Sequence, residues 1–471
     1  MHVPLTPLRC LERARNVFGS EQGIVDGKHR FTFGEFAGRA QRLAGVLLTA
    51  GLKPGEPVAF LGRNSHQLLE AYFGIPLASG LVMPLNIRLA ESELAWILCH
   101  SGARFLIYAE EFAAVAARLR ILNSMKLGQE YEDLLLRSTP CPIDICSIDE
   151  LSAASLFYTS GTTGTPKGVV HSHRALYLHA LSVALTFHID DTTVELYSIP
   201  LFHANGWGRP HAAVLMGARQ IVLPRFDPPE LFRLIETERV TSLCLVPTMA
   251  EQLLAAPASA SGDLTSVREI HLGGSPVSAS LVSRLTSRFR CLVTAGYGMT
   301  ETGPVAITSG RPVVGSEMSV DDSGETLLAG DHLFTGYWGE SPRHTRWLAT
   351  GDIGQINRSG LLSIVDRKKD IVISGGENIS SVEVESALSQ HPSVAECAIV
   401  AAPDPKWGEV PLAYVVLIQP ATEEQLAAWL KDRLARFKIP KQWRFVPGPL
   451  PRTSNGKIAK VKLRQIANSS D

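Results

Sequence analysis

The stretch YTSGTTGTPKG, residues 158–168, combines glycines, hydroxyl side chains and a lysine directly after an apolar run. Its glycines let the backbone approach a ligand closely, because glycine readily takes a positive φ. Consecutive backbone N–H groups in such a turn form a concave site for an anion. Ser and Thr hydroxyls and Lys167 add further donors. This combination suits a triphosphate tail, and the alternative is an ordinary Ser/Thr/Gly surface loop.

A second glycine–lysine pair does not match the phosphate loop of kinases and ATPases. That loop reads GxxxxGK[ST], whereas here Gly456-Lys457 is followed by Ile458, and Pro451 stands at the first glycine position. ATP binding by this sequence therefore does not imply transfer of the γ-phosphoryl group.

Short apolar runs alternate with helical patterns from about residue 55 to about residue 300. One helical pattern begins with Thr32 and Glu35, which form a capping box. Such alternation predicts parallel sheets covered by helices on both faces. Ligands in these folds bind beyond the carboxyl ends of the strands. The predicted buried strands are VAFLG (58–62), RFLIY (104–108), SLFYTS (155–160), ELYSIP (195–200), RQIVLP (219–224), TSLCLVP (241–247), REIHLGG (268–274) and CLVTAGYG (291–298).

The composition is that of a globular protein of two or three domains. The chain has 471 residues, 45% of them hydrophobic and 19% charged. Lys and Arg total 45 against 46 Asp and Glu, and this balance argues against a nucleic-acid-binding protein. No apolar run approaches the ~20 residues of a membrane helix. The N-terminus lacks a secretory signal, and the seven cysteines form no CxxC pair, so a cytoplasmic location is expected.

The pattern changes near the charge run DRKKD, residues 366–370. The run lies between the apolar segments LLSIV and IVIS. Two further apolar strands follow, with one helix that Ser380 and Glu383 would cap and a second that Thr422 and Gln425 would cap. This is typical of a small α+β unit of about 100 residues. We therefore predict domains at 1–368 and 369–471. On charge alone, the run is also compatible with a solvated turn.

YTSGTTGTPKG resembles the signature loop of the adenylate-forming superfamily, which includes acyl-CoA synthetases, luciferases and the adenylation domains of peptide synthetases. Further matches follow in the family's order and cover essentially the whole chain. The resemblance implies an α/β fold, with a large N-terminal domain of parallel or mixed sheets flanked by helices and a small mobile α+β C-terminal domain. The further motifs are GGSPV (273–277), GYGMTE (296–301), TGD (350–352), DRKKDIVISGGENIS (366–380) and PRTSNGKI (451–458).

The resemblance also implies roles at a nucleotide site. Thr300 would hold the α-phosphate, Glu301 would bind Mg²⁺ and Tyr297 would stack on adenine. Asp352 would accept hydrogen bonds from the ribose hydroxyls, with Arg367 beside it. A carboxylate is a usual protein ligand for phosphate-bound Mg²⁺, although an acid in this position also suits a helix N-terminus. The remaining ATP-binding residues would be Thr159, Ser160, Gly161, Thr162, Thr163, Lys167 and Gly274.

Three further positions belong to the smaller domain. Lys457 would pair with the reacting carboxylate and phosphate, an effect typically worth ~3–4 kcal/mol, although a lone lysine in such a loop is usually solvated. Lys369 would be a hinge that absorbs a backbone rotation between two half-reactions. Gly375 and Gly376 would line the tunnel for pantetheine.

The segment LFHANGWG, residues 201–208, resembles the acyl pocket of medium- and long-chain fatty acyl-CoA ligases and methylmercaptopropionyl-CoA ligases. His203 would gate this pocket or steer the carboxylate, and it is also compatible with a satisfied core histidine. Asn205, Trp207 and Gly298 would complete the walls of the pocket.

The expected reaction is acid + ATP + CoA → acyl-CoA + AMP + PPi, with ATP, Mg²⁺ and coenzyme A as cofactors and a medium-chain or aryl acid as substrate. The alternatives are an adenylate-forming amide synthetase, a carrier-protein ligase and a non-enzymatic adenylate-binding protein. A homodimer is expected by resemblance. The segments 109–154 and 304–349 are shorter than the family's usual pattern.

Overall fold

A computed structural model describes residues 3–159, 166–257, 262–303, 305–453 and 458–468. The chain forms two compact units. The first comprises Met1–Glu317 and Ala329–Arg346, and the second comprises Met318–Leu328 and Trp347–Asp471. The predicted division into domains at 1–368 and 369–471, with a hinge at Lys369, stays a prediction.

The helices and strands alternate along most of the chain. The α-helices α1 to α14 are Leu8–Val17, Phe33–Thr49, His66–Leu77, Glu91–Ser101, Ala113–Leu119, Gln129–Arg137, His173–Thr186, Ala204–Met216, Pro228–Glu238, Pro247–Ala255, Ala279–Phe289, Ser381–Leu388, Glu423–Lys431 and Lys460–Asn468. The strands β1 to β25 are Gln22–Asp26, His29–Thr32, Pro57–Leu61, Leu81–Pro84, Phe105–Tyr108, Asn123–Lys126, Ala153–Thr159, Lys167–Ser172, Val194–Tyr197, Arg219–Val222, Ser242–Leu245, Glu269–Leu272, Leu292–Tyr297, Ile307–Thr308, Arg311–Pro312, Glu317–Val320, Glu325–Ala329, Gly336–Tyr337, Leu348–Ile356, Leu362–Arg367, Val372–Ser374, Glu377–Ile379, Val394–Asp404, Gly408–Leu417 and Gln442–Phe445.

The first unit contains two large sheets. A nine-stranded sheet has the order β15-β14-β13-β12-β11-β9-β10-β1-β2, and a seven-stranded sheet has the order β18-β8-β7-β4-β3-β5-β6. The inner strands of the larger sheet, from β13 to β1, all pair in parallel. Antiparallel strands lie at the edges. The predicted α/β class and all eight predicted strands are therefore confirmed.

One predicted strand is less buried than expected. In β13, Leu292 is exposed and the following residues are only half-buried. The prediction of a fully buried strand is wrong here because one face of β13 borders a cavity and its outer neighbour, β14, is only two residues long.

The capping box predicted for α2 is present. The backbone N–H of Glu35 donates to Thr32 Oγ1 at 3.1 Å, and the N–H of Thr32 donates to Glu35 Oε2 at 2.8 Å. These bonds satisfy two donors that a helix N-terminus otherwise leaves unpaired. The apolar face of α2 is buried in the largest core of the unit.

The nine-stranded sheet has different surroundings on its two faces. Apolar side chains such as Leu196, Leu243 and Ile270 pack on one face in a core shared with α9, α10 and α11. On the other face, α7 and α8 contribute side chains to a cavity. The sheet thus separates an apolar core from the candidate site.

The second unit combines two sheets with the helices α12, α13 and α14. A four-stranded sheet has the order β16-β17-β19-β20, and a five-stranded sheet runs β22-β21-β24-β23 with β25 beside β24. Both predicted helix caps are present, with Ser380 accepting from Glu383 N–H and Thr422 from Gln425 N–H. No helix in the described part of the chain is long and apolar enough to cross a membrane.

The charge run 366–370 is only partly a turn. Asp366 and Arg367 end β20, and Asp366 is buried, with 3% of its surface exposed. Its Oδ2 accepts a 2.6 Å hydrogen bond from Ser381 Oγ and a 2.5 Å bond from Ser381 N–H. A carboxylate at the first turn of α12 is favourable because the helix presents unpaired N–H groups there.

Candidate active site

The predicted phosphate loop connects two paired strands. Thr159 ends β7, Lys167 begins β8, and the two residues face each other in the antiparallel register. Ser160, Gly161, Thr162 and Thr163 lie outside the described residues. The two described flanks, Thr159 and Lys167, lie at the same end of their strand pair in the seven-stranded sheet.

A cluster at the start of β8 consists of Lys167, Tyr337 and Glu301. The ammonium nitrogen of Lys167 lies 4.5 Å from the centre of the Tyr337 ring, a cation–π contact. The Tyr337 hydroxyl donates to Glu301 Oε1 at 3.0 Å. Burial, with help from the Glu301 carboxylate, raises the pKa of Tyr337, so the phenol stays protonated and keeps donating. A cation and a carboxylate are thus held by one tyrosine.

Tyr337 was not among the residues predicted from the sequence. It reaches the cluster because β18 pairs with β8, with Tyr337 opposite Val169. The only signal was its place in the aromatic–glycine segment TGYWG, residues 335–339, within a shortened part of the chain.

A short 3-10 helix, Thr300–Thr302, directly after β13 positions Glu301. The Met299 N–H donates to Thr302 Oγ1 at 3.0 Å, and the Phe334 N–H donates to the Glu301 carbonyl at 2.8 Å. Glu301 is buried, with 7% of its surface exposed. The alternative of a simple helix-terminal acid does not account for the bond from Tyr337.

The cluster fits a magnesium–phosphate group. A buried carboxylate oxygen is the ligand type that Mg²⁺ prefers, and the nearby lysine ammonium suits phosphate oxygens. In the described residues, no group of three or more His, Cys, Asp or Glu side chains could hold a metal ion alone. Protein-bound Mg²⁺ commonly takes one or two carboxylates and completes its shell with phosphate and water.

A narrow cavity of about 30 Å³ begins at glycines of two sequence motifs. Gly273 and Gly274 follow β12, and Gly296 and Gly298 flank Tyr297 at the end of β13. Gly274 has a φ of 85°, which favours glycine. Gly298, which lines the cavity, lies two residues before Thr300 and three before Glu301 along the chain.

The predicted acyl-pocket residues are only partly brought to this cavity. Gly298 lines it, whereas His203 does not. His203 immediately precedes α8, and its ring lies 4.7 Å from that of Phe202. The side chains of Asn205 and Trp207 lie outside what the structure describes.

Asp352 and Arg367 lie together, as predicted. They face each other in the register of β19 and β20, and Arg367 Nε lies 2.7 Å from Asp352 Oδ1. Asp352 is buried, with 3% exposed. The TGD turn is itself fixed, because the Gly351 N–H donates to Glu325 Oε1 at 2.8 Å and the Asp352 N–H donates to Thr350 Oγ1 at 3.1 Å.

The predicted hinge contacts the last helix of its unit. Arg464 of α14 donates to the Lys369 carbonyl at 2.8 Å and to Asp370 Oδ1 at 2.6 Å. Burial lowers the pKa of Lys369. Lys457 lies outside the described residues, which resume at Ile458 just before α14.

Gly375 and Gly376 form the two-residue turn between β21 and β22. Their φ values are 60° and 88°, as a type I′ hairpin turn requires. A Cβ on Gly375 would lie 2.7 Å from the Trp407 ring. The turn therefore needs glycine independently of any tunnel for pantetheine.

Comparison with known proteins gives a consistent result. The model of the AMP-binding enzyme family matches residues 11–338, and the model of its C-terminal domain matches residues 383–457. The chain is 32% identical to 4-hydroxybutyrate–CoA ligase 2 of Metallosphaera sedula, covering 99% of this chain and 95% of the relative. It is 33% identical to the peroxisomal benzoate–CoA ligase of Arabidopsis thaliana, covering 99% and 94%.

Solved structures agree over nearly the full length. The o-succinylbenzoate CoA synthetase of Bacillus subtilis in complex with an acyl-adenylate intermediate has a TM-score of 0.87 and 29% identity, covering 97% of this chain and 98% of that one. The same enzyme in complex with ATP and magnesium ion gives 0.87 and 28%, covering 98% and 99%. With both family models matched in order along its length, this chain belongs to the AMP-binding enzyme family.

Proposed function

We propose that this chain is an AMP-forming acid–CoA ligase whose adenylation chemistry is carried by Glu301, Thr300 and Lys457. The enzyme activates a short- or medium-chain or aryl acid through an acyl-adenylate, with ATP, Mg²⁺ and CoA. The observation that carries the residue assignment is the buried Glu301 carboxylate, which accepts a hydrogen bond from Tyr337 beside Lys167.

In the first half-reaction, a carboxylate oxygen of the acid attacks the α-phosphorus of ATP and pyrophosphate leaves. Lys167 and the loop before it bind the phosphate oxygens, and Thr300 orients the α-phosphate. A Mg²⁺ ion held by Glu301 would offset the charge of the phosphates. The ammonium of Lys457 offsets the repulsion between the attacking carboxylate and the phosphate.

In the second half-reaction, the thiol sulfur attacks the acyl carbon and AMP leaves with the bonding electron pair. AMP is a good leaving group, so the step depends chiefly on positioning the thiol. CoA is the favoured acceptor because the relatives that match nearly the whole chain are named as CoA ligases. A carrier-protein thiol or an amine remains the alternative acceptor, and pyrophosphate release without CoA stimulation distinguishes it.

The class of acid that the enzyme activates is also part of this proposal. Residues 201–208 resemble the acyl pocket of ligases for medium-chain, long-chain and methylmercaptopropionyl acids. The similar proteins, in contrast, are named for 4-hydroxybutyrate and benzoate. We favour a short- or medium-chain or aryl acid, because the relatives are named for acids of these classes. A cytoplasmic location and a homodimer are retained as proposals, although one relative is peroxisomal.

The test is pyrophosphate release with ATP, Mg²⁺ and a panel of acids, each with and without CoA. We expect turnover that depends on CoA, with the acyl-CoA detected by mass. Release that CoA does not stimulate would identify another acceptor, and no release with any acid would overturn the proposed ligase.

A further inference from the structure

The cavity is lined on one side by polar groups that a parallel sheet normally lacks. Parallel strands covered on both faces are usually apolar on both. Here Cys244, His271 and Thr294 lie opposite one another across β11, β12 and β13 and all line the cavity. Ser242 and Glu269 form the preceding row of the same face. We call Arg209, Ser242, Glu269, His271 and Thr294 the polar floor.

Arg209 brings a buried charge to this floor from α8. Its side chain is 6% exposed, and its Nε donates to Glu195 Oε2 at 3.0 Å. Its Nη2 donates to Glu195 and, at 3.0 Å, to Ser242 Oγ. Nη1 makes no hydrogen bond within the described residues, yet Arg209 lines the cavity. A buried guanidinium with an unused donor indicates a ligand atom that accepts a hydrogen bond.

Thr294 supplies the complementary acceptor. His271 Nε2 lies 3.1 Å from Glu269 Oε2, and its Nδ1 lies 2.7 Å from Thr294 Oγ1. Burial lowers the pKa of His271, so the ring is neutral at neutral pH. Nδ1 and Thr294 Oγ1 share one hydrogen bond, and in either tautomer of the ring Oγ1 keeps at least one lone pair that this bond does not use. That lone pair is left to accept from a ligand.

The charges of the floor argue against an anionic group. Glu195 already balances Arg209, and Glu269 adds a further negative charge beside a neutral His271. A carboxylate at the far end of the acid would therefore lie near the negative charge of Glu269 and the Thr294 oxygen. A methyl group there would leave Arg209 Nη1 unpaired. A neutral hydroxyl both accepts and donates, and so matches both partners.

We propose that the acid carries a neutral hydroxyl at its far end, which binds between Arg209 and Thr294. This inference rests on the proposed ligase function and names the substrate class of the same site. Thr294 precedes Gly296 by two residues and Gly298 by four, which along a strand is about 7 Å and about 13 Å. The hydroxyl therefore lies about 7 Å or more from the carboxylate, as in 6-hydroxyhexanoate or 4-hydroxycinnamate.

Matched pairs of acids test the proposal. The kcat/KM for acyl-CoA formation would be measured for 6-hydroxyhexanoate against heptanoate and for 4-hydroxycinnamate against 4-methylcinnamate, with heptanedioate as the anionic member. In the pair that gives the higher kcat/KM, we expect the value for the hydroxy acid to exceed that for its methyl counterpart at least ~10-fold. A site built to form a hydrogen bond with a hydroxyl rejects an analogue that lacks it. The kcat/KM for heptanedioate should be lower than the values for 6-hydroxyhexanoate and heptanoate.

Two variants separate recognition from a structural role. Thr294→Val is nearly isosteric and should reduce the hydroxyl-to-methyl ratio in kcat/KM toward one. The double change Arg209→Met with Glu195→Gln removes both charges and should do the same or reverse the preference. Thr241→Val is the control, since Thr241 immediately precedes β11, is buried, does not line the cavity and uses its hydroxyl to accept a hydrogen bond from the Val194 N–H. It should leave the ratio unchanged.

The outcomes distinguish this proposal from the ligase function. Two results would overturn the polar floor as a specificity site without contradicting the ligase function. One is equal kcat/KM for the methyl acids and their hydroxy partners. The other is an unchanged hydroxyl-to-methyl ratio in kcat/KM for the folded Thr294→Val protein. Non-hydrolysable acyl-adenylate analogues of each pair, measured by calorimetry, give the same ratio from Kd when turnover is slow. If no acid releases pyrophosphate and no analogue binds, both proposals fall together.

Discussion

At the scale of single residues, the site depends on how a few charged side chains are held. Glu301 and the pair of Asp352 and Arg367 were predictable because they lie inside motifs with a known order. Tyr337 and Arg209 were not, because each reaches its place through tertiary contacts. Tyr337 depends on the pairing of β18 with β8, and Arg209 on the packing of α8 over β9 and β11. Neither contact leaves a local pattern in the sequence.

Glu301→Gln should lower adenylation by about 100- to 1000-fold, because removing one preorganised electrostatic partner typically costs that much. The Mg²⁺ dependence of pyrophosphate release should also shift to higher concentration, since an amide oxygen is a weaker ligand than a carboxylate. Tyr337→Phe, which removes only the hydrogen bond to Glu301, should have a smaller effect of the same kind. Glu317→Gln, at an exposed ion pair with Arg346, is the control. An unchanged Mg²⁺ dependence in Glu301→Gln would contradict the metal assignment.

Lys457→Ala should abolish adenylation while sparing thioester formation from supplied acyl-AMP. The reason is that the ammonium offsets charge repulsion only while the carboxylate attacks the α-phosphorus. Each half-reaction is measured separately, the first by pyrophosphate release and the second by acyl-CoA formation. Lys462→Ala, on exposed α14, serves as the control. Equal loss of both half-reactions would remove this role.

At the scale of elements, the strands and caps were the most predictable features. Short apolar runs bounded by Gly, Pro or charged residues became strands, and Thr32 with Glu35 and Thr422 with Gln425 formed the expected boxes. Burial was harder to predict, because it depends on neighbours outside the element. For this reason β13 is more open than its apolar sequence indicated, and Asp366 is buried although it begins a charge run.

Lys369→Pro should spare adenylation and block thioester formation. Proline restricts rotation at the proposed hinge, and no backbone hydrogen bond donated by Lys369 occurs among the described residues, so the resting fold should tolerate it. Lys368→Ala is the control, because it removes a neighbouring charge without fixing the backbone. The two half-reactions are assayed as for Lys457. Retained full turnover in Lys369→Pro would remove the hinge assignment.

At the scale of the whole molecule, the resemblance to the family spans almost the entire chain despite its shortened segments. The alignment with 4-hydroxybutyrate–CoA ligase 2 extends over 529 positions, although this chain has 471 residues. The fold could be predicted because its motifs occur in order. The acid could not, because its pocket is built by helices and strands whose side-chain directions depend on register.

The stability of the first unit should fall as the pH drops below about 6.5. Burial lowers the pKa of His171 to about 3 and the pKa values of His173, His211 and His332 to about 4. Between about pH 6.5 and pH 4 the unfolded chain binds more protons than the folded one, so acid favours unfolding. Each such histidine contributes a slope of ~1.4 kcal/mol per pH unit in that window.

Denaturant midpoints measured at pH 7 and pH 5 test this dependence. His211→Gln, at a side chain buried between Tyr72 and Phe73, should make the dependence shallower. His344→Gln, at an exposed position, should not. A midpoint independent of pH in this window would show that other groups compensate for the buried histidines.

The order of strands in the two units has a further consequence for the speed of folding. In the nine-stranded sheet, β1 pairs with β10, so Ile24 must find Gln220 across most of the first unit. In the second unit, β23 and β24 form a hairpin whose ends, Asp404 and Gly408, are neighbours along the chain. Pairings between distant segments slow folding, because the entropy cost of closing the loop comes before the stabilising contacts form. Refolding from denaturant should therefore show a fast phase from the second unit, with the first unit forming later and remaining longest exposed to aggregation.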